Sequence, residues 1–113
     1  MTRIYKLLSA AEWAVAKAAG RFDGSDVDLA DDYIHFSTAG QLEETARRHF
    51  SGRAGLVCFA VDSEGLDDLR WEPSRGGALF AHLFGSLDTS RVLDVWPIAL
   101  GPDGAPIVET VFR

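Results

Sequence analysis

The spacing of apolar and polar positions predicts most of the elements of this chain. Arg3-Ile4-Tyr5-Lys6-Leu7-Leu8 is a short, apolar-rich run suited to a strand. Ser9-Ala10-Ala11-Glu12 follows it with the form of a capping box, and Trp13, Ala14, Ala16, Lys17 and Ala18 continue as helix material to a stop at Gly20. Tyr33 to Ser37 alternates like a half-buried strand, and Thr38-Ala39-Gly40-Gln41 offers a second capping box for a helix running to about Phe50. Leu42, Ala46 and Phe50 form the apolar stripe of that helix. Glu43 with Arg47, and Glu44 with Arg48, are ion pairs one turn apart on its solvated face. Leu56 to Val61 is continuously apolar, as a central strand covered on both faces would be.

The second half is read with weaker periodicity. Asp62 to Leu69 suits a short helical turn, and Arg70 to Gly77, broken by Pro73 and two glycines, reads mostly as a loop. Leu79 to Gly85 is expected as a strand, Ser86 to Ser90 as a turn, and Arg91 to Leu100 as a further strand. Gly101-Pro102-Asp103-Gly104 is a hairpin signal leading to a last strand at Ile107 to Phe112. The order β-α-β-α-β followed by mostly β predicts a compact α+β fold with a mixed or mostly antiparallel sheet and two main helices. With 113 residues and no linker or repeat, the chain is expected to form a single domain over 1–113.

Charge and cysteine usage narrow the function classes. The formal charge of -6 argues against binding duplex nucleic acid, which needs a basic surface. No run approaches the roughly 18 apolar residues of a membrane span, and the N-terminus lacks a signal-peptide pattern, so a cytoplasmic protein without membrane attachment is expected. Cys58, the only cysteine, sits inside the apolar run and reads as an inert buried thiol. Arg21 to Asp32 holds five aspartates in ten residues and reads as a solvated acidic surface loop. Its spacing fits no EF-hand register, and the scattered histidines give no metal signature.

Three polar groups stand where a purely structural sequence has little use for them. His35, between Ile34 and Phe36, shares a strand face with Tyr33 and Ser37 and points toward a helix start, where anions bind. It can contact a ribose hydroxyl or phosphate, with the Ser37 or Thr38 hydroxyl completing a cradle; equally, Ser37 or Thr38 caps the helix and His35 satisfies a carbonyl. In Trp71-Glu72-Pro73-Ser74-Arg75-Gly76-Gly77, Arg75 offers a fork for phosphate or carboxylate and Glu72 a general base, against the alternative of a wide turn with Glu72 and Arg75 paired at the surface. His82, between Ala81 and Leu83, is either a ligand or a satisfied core residue. His49, beside Arg47 and Arg48, belongs to the surface.

Taken together, Tyr33-Ile34-His35-Phe36-Ser37-Thr38, the helix to Phe50, Leu69-Arg70-Trp71-Glu72-Pro73 and Leu79-Phe80-Ala81-His82-Leu83-Phe84-Gly85 resemble a family of small, mostly bacterial proteins. It is the family catalogued as domain of unknown function 952. The resemblance implies a fold similar to the ADP-ribosyltransferase-like group, whose members bind NAD or a related ADP-ribosyl compound in a cleft. It further implies a nucleotide site with His35 and Glu72 as catalytic residues and Ser37, Thr38, Trp71, Arg75, His82 and Lys6 as ligand contacts. NAD would be a substrate there, and any enzymatic activity would be that of a transferase. Family members often carry His where this chain has Lys6. That departure argues for the alternative of a non-enzymatic ligand-binding or interaction domain, while leaving Lys6 a candidate phosphate contact.

Overall fold

The computed structural model describes residues 1–113, the side chain of Arg75 excepted. Strand β1 (Arg3–Ser9) runs directly into helix α1 (Ala10–Ala19). The capping box is formed: the Ser9 N–H donates to Glu12 Oε1 at 3.0 Å and the Glu12 N–H to Ser9 Oγ at 3.0 Å. Gly20 ends the helix in the left-handed conformation, φ 77°, with its N–H directed at the Ala16 and Lys17 carbonyls. The remaining elements are β2 (Arg21–Phe22), α2 (Asp26–Asp31), β3 (Ile34–Phe36), α3 (Leu42–Phe50), β4 (Leu56–Asp62), β5 (Leu69–Pro73), β6 (Leu79–Leu83), β7 (Leu87–Asp88) and β8 (Val92–Ile98).

Every strand pairing is antiparallel. One sheet has the order β1-β4-β8, a second β3-β6-β5, and β2 pairs with β7. A bridge between Tyr5 and Ser37 joins the two larger sheets, with the Tyr5 N–H on the Ser37 carbonyl at 2.8 Å and the Ser37 N–H on the Tyr5 carbonyl at 2.9 Å. The continuous apolar run forms the middle strand β4, and its two faces feed two cores. Phe59 and Val61 join Ile4, Leu8, Phe22, Ile34, Phe36, Ala81 and Leu83 on one side; Cys58 and Ala60 join Tyr5, Leu7, Leu42, Ala46 and Ile98 on the other. Phe59 is the hub of the first core, its ring centroid 5.4 Å from Trp13, 5.8 Å from Phe22 and 6.2 Å from Phe36.

Five expectations are corrected. The acidic stretch 21–32 is not a solvated loop: it contains β2 and α2, and Asp28 is fully buried. There Asp28 accepts the Ser25 N–H at 2.8 Å, an arm of a helix-start motif, and acidic residues in a first turn suit the helix dipole. Within the stretch 62–69, Asp62 ends β4, Leu69 begins β5, and the residues between form turns rather than a helical turn. Residues read as loop before Ser74 form β5, an edge strand whose Pro73 is its last residue, where a missing N–H costs no ladder bond. At 107–112 there is no strand: Val108 and Val111, three apart, bury the same side of a 3-10 turn over Glu109–Phe112. The second capping box is half formed, with Thr38 N–H donating to Gln41 Oε1 at 3.0 Å, and the helix begins after Gln41. Three helices therefore replace the expected two, and among the described residues none is long and apolar enough to cross a membrane.

Candidate functional site

The site is built where β1 and β3 part. Tyr5 and Ser37 pair, but beyond them the His35 N–H has no partner on β1 and donates instead to Asp28 Oδ1 at 3.1 Å. The carboxylate of α2 thus takes the place of a ladder acceptor on the open edge of β3. Lys6, on the β1 face shared with Ile4 and Leu8, reaches the same group, its Nζ 2.8 Å from Asp28 Oδ1 and 2.8 Å from Oδ2. His35 Nδ1 adds a third contact at 2.7 Å. Burial alone would raise the Asp28 carboxyl, but the bonds from His35 and Lys6, the Lys6 charge and the Ser25 N–H hold it down to about 2. Burial pulls the Lys6 ammonium below the usual lysine range, against the attraction of Asp28. Gly24 makes the approach feasible, since at φ 120° a Cβ there would lie 2.8 Å from the Asp28 Cβ.

His35 is held at both ends. Its second ring nitrogen, Nε2, stands 2.9 Å from Asp31 Oδ2 in the last turn of α2. Bonded at both ring nitrogens, the imidazole is fixed in orientation. His82 is the cross-strand partner of His35 on β6, and the two ring centroids are 5.6 Å apart. Glu72 on β5 reaches the same face and takes the His82 Nδ1 hydrogen bond at 2.8 Å. No hydrogen bond to His82 Nε2 is found among the described residues, and the residue is buried. The Tyr33 ring stacks on His82 at 4.1 Å and contacts His35 at 4.5 Å. Burial, then the charges of Asp31 and Glu72, raise its phenol above the ordinary tyrosine value. The face thus holds two oriented imidazoles under an aromatic ring and between carboxylates.

Of the residues singled out in the sequence, the structure brings His35, His82 and Glu72 together. It removes Lys6 from the ligand side: the ammonium is buried and bound to Asp28, because a lone cation on an apolar strand face needs an internal counter-charge. Trp71 lies opposite Ala81, and strand alternation puts it on the other face of β5 from Glu72, at the sheet edge and 41% exposed. Ser37 lies on the His35 side but its hydroxyl donates to Thr45 Oγ1 at 3.1 Å, tying β3 to α3. Thr38 contributes its backbone to the turn before α3. The Arg75 side chain lies outside the described residues. Arg70 sits with its guanidinium carbon 5.4 Å from the Phe84 ring centre. His49 and Trp13 lie apart from the site, the one exposed and the other packed on the first core.

Asp28, Asp31 and Tyr33 were missed as site residues. A signal for Asp28 was present: Ser25 followed three residues later by Asp28 has the form of a helix-start box, and Lys6 in an apolar strand needs an anion. Among the described residues no group of three or more His, Cys, Asp or Glu side chains is gathered to hold a metal ion.

The model of the family described as Protein of unknown function (DUF952) matches residues 7–95. The chain belongs to this family. The matched stretch holds Asp28, Asp31, Tyr33, His35, Glu72 and His82, so the whole site is family sequence; Lys6 lies just before it. The chain is similar to protein CC0527 from Caulobacter crescentus, whose crystal structure is 51% identical, with 97% of each chain covered and a TM-score of 0.95. A double mutant of CC0527 matches with 50% identity, 97% coverage of each chain and a TM-score of 0.95. The solution structure of CC0527 matches with 54% identity, 94% of this chain and 92% of that chain, and a TM-score of 0.84. None of the curated proteins matches. These likenesses carry the family and its fold, and bring no activity with them.

Proposed function

We propose that the Tyr33, His35, His82 and Glu72 face binds a small nucleotide of the ADP-ribosyl type, NAD among them, and that His82 is the group that meets the reacting or recognised atom. The observation that carries this reading is the His82 Nδ1 to Glu72 Oε1 hydrogen bond of 2.8 Å, which orients the imidazole and leaves Nε2 as its other reactive nitrogen. A carboxylate that orients one ring nitrogen is the arrangement that lets the other nitrogen of an imidazole serve as a general base. Glu72 therefore acts through His82, and His35, engaged at both nitrogens, serves in binding. The fold likeness to the ADP-ribosyltransferase-like group that the family resemblance implies supplies the nucleotide class, and any reaction would be a transfer from such a nucleotide. Calorimetric titration with NAD and ADP-ribose tests it: binding is expected in the wild type and lost in His82→Ala and His35→Ala. Absence of heat from folded protein with both ligands overturns the nucleotide class.

Lys6 favours a second reading, a ligand-binding domain without turnover. It stands where the resembling proteins often carry a histidine, and it is buried against Asp28 rather than offered to ligand. NAD turnover that vanishes in Glu72→Gln rules this second reading out; binding without turnover supports it.

A further inference from the structure

We infer that the imidazole of His35 is a proton-operated latch on the carboxyl end of helix α2: doubly protonated, it holds Asp31 over the ligand face, and on losing its Nε2 proton it releases that end of the helix. The latch regulates the face described above and rests on the nucleotide reading only for the ligand it would admit. Its basis is a count of donors. An exposed carboxyl is ionised at neutral pH and then only accepts hydrogen bonds. An imidazole bonded to two carboxylates, Nδ1 to Asp28 Oδ1 at 2.7 Å and Nε2 to Asp31 Oδ2 at 2.9 Å, therefore uses an N–H at each nitrogen and is a cation. A neutral imidazole has one N–H and cannot keep both bonds.

Burial decides which bond is lost. The Asp28 side chain is 1% exposed, so water cannot replace a donor withdrawn from it, whereas Asp31 is 47% exposed and water can. The remaining proton stays on Nδ1, and the bare Nε2 is left against the Asp31 carboxylate, a contact between two acceptors. Helix α2 has little with which to resist. Its six residues, Asp26–Asp31, fall well short of the length at which a helix holds by itself. Asp31 brings a negative charge to the negative end of the helix dipole, and no basic residue of the last turn offsets it. Asp32, which caps the helix, stands at φ 67°, a conformation that side-chain-bearing residues adopt under strain. The other charged and titratable neighbours do not take over from the lost donor: Lys6 on β1 is buried against Asp28, His82 on β6 is engaged with Glu72 of β5, Arg70 of β5 lies over Phe84, and the Tyr33 ring stacks on His82. The latch is thus closed on the acid side of the His35 titration and opens as pH rises through it. Closed, the position over Nε2 is filled by the protein's own carboxylate; open, that nitrogen offers a ligand a hydrogen-bond acceptor.

The test is NMR of the ligand-free protein between about pH 5 and 9, a window that spans ordinary histidine titration and leaves exposed carboxylates ionised. Ring nitrogen signals report the His35 protons, with His82→Gln for assignment. Hydrogen exchange, referred to an unstructured chain at each pH, reports the Asp32 and Tyr33 amides, both of which donate to the Asp28 carbonyl. The ring is expected to lose its proton from Nε2, and protection of those two amides to fall at least about threefold with the same midpoint. The Ser25 amide, bonded to Asp28 Oδ2, should keep its protection throughout, and the coupling should persist in His82→Gln. In Asp31→Asn, whose amide can accept from a protonated Nε2 or, turned over, donate to a bare one, protection should no longer follow the His35 titration; in Asp31→Ala it should be low at both ends. A ring that keeps both protons to the alkaline end, a proton lost from Nδ1 instead, protection that stays flat through the titration, or an unchanged pH dependence in Asp31→Asn overturns the inference. Failure of NAD and ADP-ribose to bind overturns the nucleotide reading and leaves the latch standing. Flat protection in a protein that binds ADP-ribose removes the latch and leaves the nucleotide reading standing.

Discussion

Replacing Asp28 by Asn should destabilise this protein more than any surface charge change, because it strands a buried cation. The Lys6 side chain is 5% exposed and the Asp28 side chain 1%, and their closest atoms are 2.8 Å apart. Removing one member of such a pair costs about 3–5 kcal/mol, a large share of the roughly 5–15 kcal/mol that holds a domain folded. Linkage gives a compatible figure: lowering a carboxyl from 3.8 to about 2 on folding corresponds to about 2–3 kcal/mol. The sign follows from the direction. Because the folded value is the lower one, this stability is present above the unfolded value near 3.8 and is lost as pH falls toward about 2. Urea unfolding of wild type and Asp28→Asn, monitored by circular dichroism between pH 2 and 8 (roughly the range in which carboxylates and histidines titrate), should show the curves converging at the acid end. The double variant Lys6→Met with Asp28→Asn should regain much of the loss, since it removes both charges together. A loss below about 1 kcal/mol at neutral pH, or a double variant no more stable than Asp28→Asn, would refute the reasoning.

Three further outcomes are expected. Gly24→Ala should be much more damaging than Gly20→Ala: both have positive φ, but a Cβ at Gly20 meets nothing within 4 Å, whereas one at Gly24 lies 2.8 Å from the Asp28 Cβ. Thermal melts should show a loss of about 1–2 kcal/mol for Gly20→Ala and a larger one for Gly24→Ala, together with altered His35 ring signals; equal losses would contradict the account. Phe59→Ala should cost about 3–5 kcal/mol by denaturant unfolding, because three aromatic neighbours pack on a ring that is 0% exposed. Cys58, whose thiol is pushed up to about 12 by burial, should resist alkylation at neutral pH in the folded protein and react in urea; mass spectrometry of the native protein would detect the contrary.

Much of the frame is local, and so it was legible in the sequence. Ser9, Glu12 and Gly20 bound α1 through contacts spanning a few residues, and both Glu-to-Arg pairs on α3 form one turn apart. The Leu56 to Val61 run could only be a strand with both faces covered, since no alternation gave it a solvent side. Where local signals conflicted, the reading failed: Pro73 looked like a breaker until its place at the end of an edge strand was known.

The candidate site divides along the same line. His35, Glu72 and His82 were visible as polar residues out of place, but their meeting depends on the register that sets His35 opposite His82 and Arg70 opposite His82 in turn. The same register turned Trp71 to the opposite face from Glu72. Asp28 was the largest reversal, because five neighbouring aspartates in a linear sequence look alike and all look solvated. What singles Asp28 out is Lys6, 22 positions earlier, together with the gap where β1 and β3 separate. Sequence alone determined which segments had to bury an apolar face, since that is a matter of period. Only the tertiary structure decided which charges went inside, since a charge can leave water only where its counter-charge already waits, and strand pairing is what brings the two together.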